Sequence, residues 1–172
     1  EKLLEKMGEV YLKNYDDDNA LAVYKELIDI NDDKSSYFIE ISKIYQDKEK
    51  YASAYKWGKK ALRIDPDNGY VVFNIAEILK GAVESCSSDS YSLEDKVVYQ
   101  IAYRFYKDAY KKDYKESKFM INFFKEEKKD VLPQLQDWFL IDSNLDEFRP
   151  IDINPNNSCY AWIDKKVSRV TK

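Results

Sequence analysis

Residues Phe38 to Pro66, FIEISKIYQDKEKYASAYKWGKKALRIDP, decide how the rest of the chain is read. Phe38, Ile41, Ser42 and Tyr45 recur at intervals of three and four, as do Ala54, Gly58 and Ala61. Such spacing places each set on one face of a helix. A short charged turn, QDKEK, separates the two segments, and Pro66 closes the pair. Ser42, Ala54 and Ala61 are small enough to let two helices approach closely, while Phe38 and Tyr45 fill the space on either side.

The same pattern returns on both sides. One period back stand Leu4, Met7, Gly8 and Tyr11, followed by Ala20, Tyr24 and Leu27. One period forward stand Val72, Ile75, Ala76 and Leu79, but the second set arrives late, at Ala102, Tyr106 and Ala109. Bulky, bulky, small and aromatic residues followed by small positions and a proline, repeated every 34 residues, resemble the tetratricopeptide repeat (TPR). Three copies are expected, at 1–34, 35–68 and 69–116, the last with an insertion of about 14 residues relative to that period. Leu27 stands where the pattern has a small residue, and Asp32 and Tyr114 stand where it has proline. The resemblance implies an all-α right-handed superhelix.

Local signals mark the ends of the expected helices. The first copy starts directly in a helix, which reads as native sequence missing upstream of Glu1, because arrays usually carry a polar terminal cap. Asn14 to Asp18 is a turn, and Asn31-Asp32-Asp33 closes the second helix with turn-forming side chains. Ser35 with Ser36 reads as the N-cap of repeat two, and Ser92 with Asp95 as a capping pair for a helix from Leu93 to Lys112. Phe119, Met120, Phe123 and Phe124 give the apolar face of a capping helix over 116–130.

Residues 131–172 form a tail packed on the array. Pro133 starts a turn of helix carrying Trp138 and Phe139, and extended runs are expected near 148–153, 159–163 and 167–170, enough for a β-hairpin. A hairpin alone is marginal in water, so this tail must lie on the helices, with Trp162 as its anchor. Leu132-Pro133, Asp137-Trp138-Phe139 and Tyr160-Ala161-Trp162-Ile163, with Val167 and Arg169, look like the tail of bacterial TPR proteins exported to the cell envelope. That likeness points to periplasm or envelope, with the cytoplasm as alternative. Cys86 and Cys159 read as unpaired thiols, because a domain of this size needs no staple.

Composition excludes most chemistry. The 172 residues contain no histidine and only two cysteines, which removes Ser-His-Asp arrangements and cannot furnish a tetrahedral zinc site. The four glycines stand apart, so there is no phosphate-cradling loop. Neither a calcium-loop pattern nor a spanning apolar run occurs. No cofactor, no metal and no enzymatic activity are expected. The net charge of −4 offers no whole-chain attraction to nucleic acid.

The resemblance therefore implies a protein-interaction scaffold whose first helices line a groove for a peptide or protein segment. By the repeat register, Lys2, Glu5, Glu9 and Lys13 face it from repeat one. Ser36, Ile39, Glu40 and Lys43 follow from repeat two, and Tyr70, Phe73, Asn74 and Glu77 from repeat three. Glu5, Glu9, Glu40, Tyr70 and Asn74 occupy the places where chaperone-binding repeats carry Lys, Asn and Arg, so a heat-shock chaperone C-terminal carboxylate is not the ligand. An alternative is a polyanion or nucleic-acid module using Arg104, Lys107, Lys111, Lys112, Lys115, Lys118, Lys125, Lys128 and Lys129, diluted by interleaved acids. Another is a glycan-binding envelope module using surface aromatics.

Overall fold

The computed structural model describes residues 1–134, 136–137, 150–151, 159–164 and 167–168. Eight helices account for most of them: α1 (Lys2–Lys13), α2 (Asp17–Ile30), α3 (Ser35–Asp47), α4 (Tyr51–Ile64), α5 (Gly69–Cys86), α6 (Leu93–Lys111), α7 (Ser117–Glu126) and α8 (Lys128–Val131). The fold is all-α. A two-residue antiparallel pairing, β1 (Pro150–Ile151) with β2 (Val167–Ser168), is the only strand structure among the described residues.

Each helix packs chiefly on its chain neighbours, α1 with α2, α3 with α4 and α5 with α6, and consecutive pairs stack through α2 on α3 and α4 on α5. The small residues of the repeating pattern sit at these contacts: Ala20, Ala54, Ala61, Ala102 and Ala109 are 0% exposed. Gly58 shows how close the approach is, since a Cβ there would stand 2.8 Å from Ile75 Cδ1. Ser42, likewise 0% exposed, donates to the Ala54 carbonyl at 2.8 Å and lies 3.1 Å from the Asn74 side-chain oxygen, joining α3, α4 and α5. A buried hydroxyl is tolerated where it is hydrogen-bonded in this way.

The turn within each of the first two pairs is the same. Asn14 and Lys48 close α1 and α3, and the following residues, Tyr15 and Glu49, take φ of 57° and 55°. The amides of Asp16 and Lys50 then reach back to the carbonyls of Tyr11 and Tyr45 at 2.9 and 2.8 Å. This is the Schellman closure, normally built on glycine because a Cβ is strained in the left-handed region. Replacing Glu49 by Gly is expected to stabilise the fold by about 0.5–1 kcal/mol through relief of that strain. The check is a rise in the urea midpoint with an unchanged slope.

The insertion in the third pair is helix rather than loop. α5 has 18 residues against 13 in α3, and α6 has 19 against 14 in α4. Only Ser87 to Ser92 joins them. The Ser92–Asp95 capping box forms, with the Asp95 carboxylate accepting from the Ser92 amide at 2.8 Å and Ser92 Oγ accepting from the Asp95 amide at 3.2 Å. The expected cap of repeat two does not. Ser35 and Ser36 lie inside α3, whose N-cap is Lys34 with no side-chain bond; an ammonium has no acceptor to offer the first-turn amides, and Lys34 pairs with Glu1 and Glu5.

The tail departs from expectation in three respects. Residues 159–162 form a turn, not a strand, with the Ile163 amide donating to the Tyr160 carbonyl at 2.9 Å. Tyr160, 0% exposed, is the anchor rather than the half-buried Trp162. Its hydroxyl donates to the buried Asp95 carboxylate, whereas Trp162 packs at the margin on Tyr55, ring centroids 5.1 Å apart. Thirdly, Cys86 and Cys159 are bridged, their Cα atoms 6.3 Å apart. The longer α5 carries Cys86 to the place where the Tyr160 turn docks. Trp138, Phe139 and the remainder of the extended runs lie outside the described residues.

The capping helix α7 buries Ile121 and Phe124 against Tyr99, Tyr103 and Tyr106, while Phe119 is 76% exposed. Of the expected face, Phe124 and Met120 pack inward as expected, whereas Phe119 and Phe123 turn outward and Ile121 takes their place. No helix among the described residues is long and apolar enough to cross a membrane.

Candidate functional site

The first helices of the three pairs carry the expected groove residues, and they divide into three groups. Ile39 and Asn74 are interior. Ile39 is 3% exposed against Ala61 and Val71, and Asn74 is 5% exposed beside Ser42. α3 is covered by α2, α4 and α5 together, so its buried face is wide enough to absorb Ile39 next to Phe38. The surface prediction is corrected for Ile39 on that ground, and for Asn74 because its side chain on α5 faces the buried Ser42 hydroxyl at 3.1 Å.

A second group surrounds α5. Phe73, half-buried, lies edge-on to Tyr106 (5.5 Å) and against Tyr114 (4.8 Å), and Tyr70 packs on Tyr114 at 5.4 Å. Lys43 sits 5.2 Å over the Tyr70 ring and pairs with Glu40 at 2.9 Å. Glu77 accepts from the buried Tyr106 hydroxyl at 2.5 Å. These contacts make a fixed aromatic ledge with Lys43 and Glu77 beside it. Tyr114, which stands where the repeat pattern has proline, is the residue that turns Tyr70 and Phe73 into one surface.

The third group faces a cavity of about 430 Å³ between α1 and α3. Glu5, Glu9, Lys13 and Glu40 line it together with Tyr24 and Tyr37. The repeat register places the charged residues on this face, but it counts Tyr24 only as a pattern position and does not single out Tyr37. The signal lay in their hydroxyls, because a tyrosine at a buried position ordinarily needs a polar partner that phenylalanine would not. Tyr37 has one: its hydroxyl donates to Glu5 and lies 3.0 Å from the Glu1 carboxylate. Lys34 completes the cluster, 2.5 Å from Glu1 and 2.9 Å from Glu5. The Tyr37 hydroxyl and Lys34 hold the Glu5 carboxyl below its usual value, while burial and then Glu5 push the Tyr37 phenol up to about 12.

Tyr24 differs. It is 5% exposed, its ring lies against Gly8 where a Cβ would come within 3.0 Å, and its phenol is pushed up to about 12 by burial and then by Glu40 and Glu9. No hydrogen bond to its hydroxyl occurs among the described residues.

Two members of the basic stretch are paired with acids. Lys112 pairs with Asp67 at 2.9 Å and Lys115 with Asp113 at 2.7 Å. Lys107 lies 4.5 Å over the Tyr103 ring, its pKa lowered by burial and then by the positive charges of Arg104, Lys111 and Lys125.

The docked tail turn lies on the opposite helices. Tyr55 and Lys59 of α4 bond Asp164, Cys86 ends α5, and Asp95 belongs to α6. Among the described residues, no group of three or more metal-ligating side chains is assembled. No family model matches the chain, and no curated protein sequence matches it.

Proposed function

We propose that the chain is a non-catalytic TPR-type scaffold that binds an extended peptide or protein segment along the faces of α1, α3 and α5. The observation that carries this reading is the division of surfaces. The described tail turn is fastened to α4, α6 and the end of α5, while the cavity and the aromatic ledge lie on the first helices. The register of α1, α3 and α5, starting at Lys2, Ser35 and Gly69, supports the 34-residue repeat. A bridge between the chain's two cysteines fits an oxidising compartment such as the envelope.

Aromatic anchors held by neighbours dominate binding energy, whereas exposed charges set encounter rate and specificity. Phe73→Ala should weaken binding of a partner captured from native extract by about tenfold or more, equivalent to roughly 1.4 kcal/mol. Glu5→Lys with Glu9→Lys should chiefly slow association. Titration of the captured partner by calorimetry and surface binding kinetics checks both. A partner whose affinity and association rate survive all three changes removes the groove from the account.

The Arg104–Lys107–Lys111–Lys125 cluster favours a second reading, a polyanion surface on α6 and α7. Salt-dependent retention on heparin or RNA, lost on Lys107→Glu, would support it.

A further inference from the structure

The cavity between α1 and α3 has a chemistry of its own. Three of its wall side chains, Glu5, Glu9 and Glu40, are carboxylates, and the one cation on the described wall is the exposed Lys13. The lysines that pair with the acids, Lys34, Lys6 and Lys43, are not part of that wall. Glu9 and Lys6 are half or more exposed, and such a pair contributes little and exchanges readily. The Tyr24 hydroxyl is the second, independent feature. It belongs to a side chain that is nine-tenths buried, opens on the cavity, and bonds to no described residue. The phenol can give its one proton to a carboxylate and still accept through its oxygen, so the space as a whole holds more acceptors than donors. Such a space is complementary to a group that only donates.

We propose that this cavity is a specificity pocket for an arginine side chain of the bound segment, which rests on the peptide-scaffold reading above. Guanidinium is favoured over ammonium for three reasons. It carries five donors in a plane and no acceptor, so it can serve carboxylates on both walls and the phenol oxygen at once. Its flat fork meets a carboxylate through two parallel hydrogen bonds, which an ammonium cannot do, and Glu9 and Glu40 offer such carboxylates on the wall. Its weak hydration suits a partly enclosed site better than a compact ammonium. The volume, about 430 Å³, lies within the range of sites that engulf a small ligand group. Glu9 and Glu40 approach from α1 and α3 respectively, so the pocket also reads the relative placement of the first two pairs.

The test uses N-acetyl-arginine amide as probe, with N-acetyl-citrulline amide as its neutral isostere and N-acetyl-lysine amide as the ammonium control. Binding to the intact chain is followed by calorimetry and by tyrosine ring shifts in NMR. The arginine probe should bind at least about tenfold more tightly than citrulline and several-fold more tightly than lysine. Glu9→Gln with Glu40→Gln should weaken it by about tenfold, and Tyr24→Phe by about threefold, with circular dichroism unchanged. Equal binding of arginine and citrulline, equal binding of arginine and lysine, or an unaltered affinity in the Gln pair overturns the proposal. Should the pocket take the arginine probe while no polypeptide is ever captured, the scaffold reading falls and the pocket stands. Capture of polypeptides that depend on Phe73 but not on arginine does the reverse.

Discussion

Cys159→Ser should lower the stability of the folded chain by about 2–4 kcal/mol, the usual worth of a bridge closing a loop of this length. The bridge spans 73 positions, so in the reduced unfolded chain the tail explores a large volume that the crosslink denies it. Among the described residues, the contacts of the turn that then remain are the Tyr160 hydroxyl on Asp95, the Tyr55–Trp162 packing, Ile163 in the core, and Asp164 on Tyr55 and Lys59, while β2 on α6 and Asp137 on Lys96 hold other parts of the tail. Lys59 and Asp164 are respectively 35% and 56% exposed, so their pairing adds little. Tyr160 is the most buried contact of the turn, and Tyr160→Phe in the Cys159→Ser background should release the turn by leaving Asp95 Oδ1 without its donor while Oδ2 keeps Ser92. The measurements are urea midpoints of oxidised, reduced and substituted protein, and alkylation before and after reduction. The unreduced protein should take up no alkyl group and the reduced protein two. A reduced protein with the midpoint of the oxidised one would mean that the turn docks without help from the bridge.

How much of this was legible in the sequence follows from how local each feature is. The six helices of the repeating pairs follow from three-and-four spacing within short windows, and the alanines at 20, 54, 61, 102 and 109 were readable as contact points because no larger residue fits there. The insertion was legible in form as well as length, because the Ser92–Asp95 pair marked the start of a long helix from Leu93 and so left only a short serine-rich loop before it. The left-handed turns at Tyr15 and Glu49 carried no glycine to announce them. Ile39 was misplaced because a helical wheel assigns one buried face, while α3 is covered from several sides and buries Tyr37, Phe38 and Ile39 in succession. The bridge and the Tyr160–Asp95 bond link residues 73 and 65 positions apart, and no periodicity within a helix reports on such pairings. For the groove, the register placed Glu5, Glu9, Lys13 and Glu40 on one face, yet the chain holds 15 tyrosines and nothing local sets Tyr24 and Tyr37 apart as cavity walls.

Tyr106→Ala is expected to be the most damaging single change in the array, at about 3–5 kcal/mol, the range for truncating a large buried aromatic. Tyr106 is 0% exposed and stands at the junction of three helices. Phe73 of α5 meets it edge-on at 5.5 Å, Phe124 of α7 packs on it at 5.9 Å, and its hydroxyl donates to Glu77. Removing the ring leaves a cavity that α5 and α7 can close only by moving toward α6. Tyr106→Phe separates the two contributions, since it keeps the packing and deletes only the hydrogen bond. That variant should cost about 1–2 kcal/mol, because Glu77 is part-buried and recovers some solvation. The functional consequence should follow the same split. With Ala at 106, Phe73 loses one of the two rings that fix it and Glu77 loses its donor, so affinity for a captured partner should fall even at temperatures where the variant is folded. With Phe at 106, Phe73 keeps both ring contacts and affinity should change by less than about threefold, or roughly 0.6 kcal/mol. Thermal unfolding and partner titration on the two variants give four numbers. Equal affinities for the Ala and Phe variants would mean that the Phe73 ledge plays no part in binding.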